Sequence, residues 1–454
     1  MQFKKYYIFL IFIIFAVLGA LSLSIFKSNK PAITNNNIEK RSLTKKDLKN
    51  REPILCQAEF VQKENNNFSK LKKYIENQWA LKDILVLDSW EEVLKTQREK
   101  PLVVAVIDTG IYDKHPCLKN QLWINPNEIP NNGIDDDKNG FIDDINGWNF
   151  VDNNNKIQDT HGHGTHVAGI IVAKGPPDCE IIGVAPHVKI MVLKYYEEGA
   201  DSTLNIKNTI KSILYAVNNG ADIINYSGGG PGANQNERSA IAQAADKGII
   251  FVAALGNEGS KIGEKTKYYP ASYNLPNIVF VQSHNEKEER VESSNYIQNP
   301  SLEPKRVQTA PGENIISTLP SPFYLQGKSK NSSDVLRSLA SPFKKDYYGR
   351  MTGTSQATAV ATGVVALAKT QLPHWNMEKI IQQVTQGQKL SAYGAVSMRP
   401  QNVDLSDRID HTNTRIPHNP NKIEDILKNP RLDEFPSENT FDQIKNIDDI
   451  VNKK

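Results

Sequence analysis

The chain has 454 residues, enough for one large domain or two ordinary ones. Its 39 % apolar and 23 % charged content is that of a globular protein rather than a low-complexity or collagen-like chain. The net charge of +3 is spread over 54 basic and 51 acidic residues with no long basic stripe, which gives no footing for a nucleic-acid partner.

Lys4 and Lys5 precede an uncharged run, residues 6–26, dense in Ile, Phe and Leu. A basic start followed by an apolar core reads as a secretory signal peptide. The run also reaches the roughly 20 residues that cross a bilayer, so an N-terminal membrane anchor is the alternative. Either way the positive flank stays inside and the chain beyond Lys27 is placed outside the cytoplasm, secreted or anchored. Residues 27–64, rich in Asn and Lys, read as a short polar linker or pro-segment.

From residue 65 onward apolar runs alternate with amphipathic stretches. Residues 102–107 (L-V-V-A-V-I) form a β-branched run typical of a strand buried on both faces. Similar runs occupy 188–193, 221–225, 249–253 and 278–281. Between them, 206–218 and 238–246 carry apolar residues at helical spacing and stop at Gly220 and Gly248. Strands alternating with helices predict an α/β fold around a parallel sheet, with polar residues gathered at the strand ends. Residues 284–306 and 321–350 break the rhythm and read as surface insertions, and residues 401–454 as a polar, disordered or loosely docked tail.

Three segments carry chemistry. The first strand ends in Asp108-Thr109-Gly110, which taken alone is a weak motif. His161-Gly162-His163-Gly164-Thr165-His166 holds three histidines, but their spacing is not that of the helical zinc proteases. Gly353-Thr354-Ser355-Gln356-Ala357 runs into an apolar helix, placing a serine either as an ordinary cap or at a dipole end suited to an oxyanion. Together these segments resemble the subtilisin family (subtilases), in which Asp, His and Ser occur in this order. Weaker matches are Gly183-Val184-Ala185-Pro186, Ser227-Gly228-Gly229, Gly256-Asn257-Glu258-Gly259 and Ala310-Pro311-Gly312, while Gln78-Trp79 and Trp90 resemble the start of the mature domain. The resemblance spans residues 65–400.

It implies a doubly wound, mostly parallel sheet with helices on both faces and a monomeric serine endopeptidase acting on peptide or protein substrates. By the same resemblance Ser355 is the nucleophile, His163 its general base and Asp108 the group orienting His163. Asn257 becomes an oxyanion donor, and Ser227, Gly228 and Gly229 the strip that pairs with extended substrate. Gln356, Thr358 and Ala359 depart from the family pattern, and the loop 174–180 lacks the Asn-rich sequence of the family's high-affinity calcium site. The rival reading is a subtilase fold that binds peptides without cutting them.

No catalytic metal is expected. A structural calcium is: Asp135, Asp137, Asn139, Phe141 (through its carbonyl) and Asp143 follow the first half of EF-hand loop grammar, with Gly140 at the sixth position. The bland alternative is a solvated acidic turn. Of the three cysteines, Cys117 and Cys179 are a candidate bridge that leaves Cys56 alone, against three free thiols.

Overall fold

The computed structural model describes residues 74–397, without 94–95, 97–99, 178, 197–198, 200–201, 264, 298–305, 321–346 and 388. The readings of 1–26, 27–64 and 401–454, and Cys56, lie outside the described residues. Two helices, α1 (Trp79–Asp83) and α2 (Val86–Val93), precede strands β1 (Val103–Asp108) and β2 (Gly147–Asn149). Helix α3 (His163–Val172), β3 (Lys189–Lys194), α4 (Ser202–Asn218), β4 (Ile223–Tyr226), α5 (Gln235–Asp246) and β5 (Ile250–Ala254) continue the alternation. Then come β6 (Ile278–His284), β7 (Val307–Pro311), β8 (Ile315–Thr318) and β9 (Tyr348–Met351). Helices α6 (Thr354–Gln371), α7 (Met377–Val384) and α8 (Ala392–Val396) close the described part.

Strands β1 to β7 form one parallel sheet in the order β2-β3-β1-β4-β5-β6-β7, while β8 and β9 make a separate antiparallel pair. The β-branched runs explain the sheet, because alternate side chains of one strand enter two different cores. Val104 and Val106 face a core with α3, α6, α7 and α8, whereas Ala105 and Ile107 face another with α4 and α5. This is the doubly wound α/β arrangement. Gly220 and Gly248, at φ of 72° and 70°, end α4 and α5 in the left-handed conformation that glycine adopts freely.

Helix α6 is buried almost all round, as its Ala, Thr, Gly and Val content requires. A Cβ on Gly363 would lie 2.4 Å from that of Val184, so the small residue sets the packing distance. The first helices dock through polar side chains. Gln78 exchanges two hydrogen bonds with the Ile182 backbone, at 2.8 and 2.9 Å, and the Trp90 Nε1–H donates to the Val184 carbonyl at 2.9 Å.

Two sequence readings change. The stretch at 284–306 is not simply surface: His284 ends β6, and Ser294 and Asn295 are buried, because Asn295 serves the neighbouring loop described below. The stretch at 321–350 gives up its last residues to β9. Among the described residues no helix is long and apolar enough to cross a membrane.

Cys117 and Cys179 form a disulfide across a sequence separation of 62 residues. Closing a loop of that length restricts the unfolded chain by about 4 kcal/mol in the chain-entropy account. The Cys117→Ala, Cys179→Ala double variant is therefore expected to lose on the order of 3–4 kcal/mol of stability in urea unfolding. A Ser355→Ala background keeps self-digestion out of that measurement, and an unchanged midpoint would show that the bridge adds nothing.

Candidate active site

In the sheet, β1 lies between β3 on one side and β4 on the other, so successive crossovers leave it in opposite directions. Open α/β sheets form their crevice at such a reversal, beyond the carboxyl ends of the strands. Asp108 is the last residue of β1 and only 3 % exposed. Its Oδ1 accepts the Thr109 N–H at 2.8 Å and lies 2.7 Å from His163 Nδ1. That contact makes Nδ1 the protonated nitrogen of the neutral ring and leaves Nε2 the unprotonated one. Burial alone would disfavour the imidazolium, but the Asp108 charge and hydrogen bond, with Asp159 behind them, hold His163 above its ordinary pKa.

Glycines bring the two residues together. A Cβ on Gly164 would come within 2.2 Å of the Gly110 carbonyl oxygen, so only glycine lets α3 approach the end of β1. Gly162, at φ 101°, turns the chain into that helix and caps none of its N–H groups with a side chain. The caps come from elsewhere. Gly164 N donates to Thr109 Oγ1 at 2.9 Å and Thr165 N to Asp159 Oδ2 at 2.9 Å.

Ser355 is the second residue of α6, and its Oγ donates to the Ser227 carbonyl at 2.9 Å. Among the described residues no hydrogen bond joins Ser355 to His163. A polar chain ties α6 to β4: Thr362 donates to Asn225, Asn225 to Ser227 Oγ, and Ser227 Oγ to the Ser355 carbonyl, at 2.8, 3.1 and 3.2 Å. Asn257, exposed just beyond β5, accepts the Thr354 N–H at 2.8 Å and the Thr354 hydroxyl at 3.1 Å through Oδ1. Its Nδ2 lies 3.5 Å from the position a Cβ on Gly353 would take, two residues before Ser355. Asn295 props this loop, accepting from Glu258 N and Ser260 N at 3.2 and 2.7 Å and donating to the Leu255 carbonyl at 2.9 Å.

Ser227, Gly228 and Gly229 run along the crevice after β4. Their glycines are imposed by tyrosines below: a Cβ on Gly228 would lie 2.6 Å from the Tyr195 hydroxyl, and one on Gly229 2.5 Å from the Tyr268 ring. The other histidines of the motif have separate surroundings. The His161 ring sits edge-on, 6.3 Å from that of His163. His166 is fully buried, its Nε2 3.1 and 3.2 Å from the Ile315 and Gly349 carbonyls of β8 and β9. Ser317 and Thr318 of β8 donate back to the His166 and Thr165 carbonyls, each at 2.7 Å.

In the acidic loop, Asp135 accepts the Asn139 and Gly140 N–H groups at 3.1 and 2.8 Å, and Asp143 those of Asn132 and Gly133 at 3.1 and 2.9 Å. The Phe141 ring packs on Trp148 and Tyr215, and the Asn139 amide donates to Asp137 and Asp144. The carboxylates whose oxygens converge, within 4.8 Å of one another, are Glu128, Asp137 and Asp144. This group shares only Asp137 with the EF-hand-like set. Burial raises the pKa of both Glu128 and Asp144, and hard oxygens packed this closely suit a hard cation. Glu128, Asp144, Asp159 and Asn295 were not singled out from the sequence. Asp159 left a signal there, an acid a few residues before a glycine-flanked helix start, and Asp144 closes the acidic run that begins at Asp135.

The family model described as the Subtilase family matches residues 99–403. The chain is 37 % identical over 207 residues to subtilisin-like protease 1 of Plasmodium berghei (strain Anka), covering 43 % of this chain and 34 % of that protein. It is 34 % identical over 292 residues to the major intracellular serine protease of Bacillus subtilis (strain 168), covering 63 % and 74 %. The aligned region thus spans about a third of the Plasmodium relative and about three quarters of the Bacillus one. A solved structure, fervidolysin from Fervidobacterium pennivorans, a keratinolytic enzyme related to subtilisin, aligns with a TM-score of 0.52 at 24 % identity. That match covers 72 % of this chain and 46 % of the other, and it is a likeness of fold.

Two buried histidines make stability depend on acid. Burial pushes His166 down to about 3, helped by the neighbouring His163 charge, and pushes His115 down to about 4. Both stay neutral in the folded chain while the unfolded chain takes up protons below its ordinary value of about 6.5. Stability should therefore fall as pH drops from there towards 4, by on the order of 2 kcal/mol per histidine at pH 5. Urea unfolding of Ser355→Ala protein from pH 7 to 5 checks this, and His115→Asn is expected to flatten the profile. A slope unchanged by that substitution would assign the loss to other groups.

Proposed function

The chain belongs to the subtilase family, and on that premise we propose that it is a serine endopeptidase using Asp108, His163 and Ser355. The observation that carries this reading is the 2.7 Å contact between Asp108 and His163 at the sheet's reversal point. An extended substrate pairs with the backbone of Ser227, Gly228 and Gly229. Its arrival frees the Ser355 hydroxyl from the Ser227 carbonyl to face His163 Nε2, since catalytic hydrogen bonds tighten only when substrate is bound. Ser355 Oγ attacks the scissile carbonyl carbon as its proton passes to Nε2. The resulting oxyanion takes hydrogen bonds from Asn257 Nδ2 and the Ser355 N–H; one such donor is worth roughly 3–4 kcal/mol. His163 then protonates the leaving amine as the C–N bond breaks, and water repeats the sequence to release the acid from Ser355.

Ser355→Ala is expected to abolish fluorophosphonate labelling and casein hydrolysis while leaving the melting temperature unchanged. Because triad members act as a unit, adding His163→Ala should lower the residual rate little further. Labelling that persists in Ser355→Ala would move the nucleophile elsewhere. A wild-type chain that neither labels nor cuts would favour the peptide-binding reading.

We further propose that one calcium ion stabilises the loop at 128–144 without taking part in the chemistry. Glu128, Asp137 and Asp144 would hold it, with Asp135, Asn139, Asp143 and the Phe141 carbonyl as the alternative ligands that the loop sequence offers. The buried carboxylates that oppose one another support this. A ligand bound only by the folded chain adds about 2.7 kcal/mol at a hundredfold excess over Kd. Calcium should therefore raise the melting temperature of Ser355→Ala protein over chelator, and Asp137→Ala should remove most of that gain. Equal melting in both conditions leaves the loop a solvated turn.

Placement outside the cytoplasm, secreted or anchored, is supported by the basic-flanked run at 6–26 and by the Cys117–Cys179 bridge, since structural disulfides persist in oxidising compartments.

A further inference from the structure

Asp159 is fully buried and belongs to no helix or strand. Its two oxygens accept five hydrogen bonds. Oδ1 takes the Thr109 hydroxyl at 2.9 Å, His161 N at 2.9 Å and Gly162 N at 2.8 Å. Oδ2 takes Thr165 N at 2.9 Å and the Thr165 hydroxyl at 2.6 Å. The donors come from both sides of His163 and from the residue after Asp108. The Thr109 hydroxyl closes the circuit by accepting Gly164 N at 2.9 Å while donating to Asp159.

A carboxylate satisfied five times over is a rigid anion, and a second buried carboxylate beside an Asp–His pair costs desolvation that an ordinary turn does not demand. Capping alone would need one of these bonds. Resting on the serine-peptidase reading, we infer that Asp159 is a positioning residue for His163: through Thr109 it locks the first turn of α3 to the end of β1, and its charge supports the imidazolium formed during the reaction. The other titratable or charged side chains nearby are Asp108 on β1, His161 just before the helix, His166 one turn along it, and Lys194 at the end of β3 with Tyr195 and Tyr196 after it. Lys194 donates to the Gln158 carbonyl at 3.3 Å, and His166 stays neutral, so Asp108 and Asp159 are the anions acting on the ring.

The test compares the full chain with Asp159→Asn, Thr109→Val and Thr109→Ser, reading kcat/KM of a peptide substrate against pH together with melting temperature. Asp159→Asn removes one negative charge from the imidazolium and sets an amide donor against N–H groups. The rate constant should fall about ten- to hundredfold, and its acid limb should move to lower pH because the base loses its proton more readily. Thr109→Val, nearly isosteric, breaks the circuit without altering charge: it should lower the rate and leave the limb in place, and Thr109→Ser should restore it. A rate loss in Asp159→Asn that follows the fall in melting temperature, with the acid limb unmoved, would make Asp159 a structural cap only and overturn the inference. If Asp159→Asn does not fold, full activity in Thr109→Val would overturn it instead. Should the wild-type chain prove inactive, the peptidase reading fails separately, and nitrogen NMR titration of the His163 ring in wild-type and Asp159→Asn protein still decides whether Asp159 acts on it.

Discussion

A buried carboxylate at the end of a strand and a partly exposed imidazole 2.7 Å from it set the terms for what surrounds them. Such a contact is favourable only if the groups are held together before any ligand arrives, because a buried anion left unpaired is costly. Helix α3 must therefore begin against the last residue of β1. That need fixes Gly164 at the point of closest approach and Gly162 at the turn, and it removes the usual capping side chain from the helix start. The donors left bare there are taken by Thr109 and Asp159, which lie outside the helix.

Ser355 is held from the other side of the crevice by different means. Helix α6 is rigid because it is sunk in the core, and its first turn is gripped by Asn257 through Thr354 and by Ser227 through Ser355. Asn257 in turn depends on Asn295, from a stretch that looks dispensable in sequence. The two halves of the site thus rest on separate supports, α3 with β1 and α6 with β4 and β5. The sheet common to all of them keeps them in register.

How much of this was legible in the sequence follows from the range of each interaction. The buried strands were read from their β-branched runs, and α4 and α5 from apolar spacing and a terminal glycine, because burial on one or both faces writes a period into the chain. Short strands such as β2 and β9 write too little period to be seen. Asp108, His163 and Ser355 stood out through the motifs around them, whereas Asn295 did not: its role depends on a loop 37 residues away, a distance no local pattern encodes. The acidic loop shows the same limit. Its ligand grammar was visible, but Glu128 and Asp144 join Asp137 only through the fold.

The clamp between α3 and the β8–β9 pair has a consequence for how the chain can diverge. Four hydrogen bonds, from the His166 ring and from Ser317 and Thr318, fix the base of that hairpin to the helix that carries His163. A change at Ser317, Thr318 or His166 therefore strips a buried backbone carbonyl of its donor on one of the two elements, and divergence at these three positions has to be concerted.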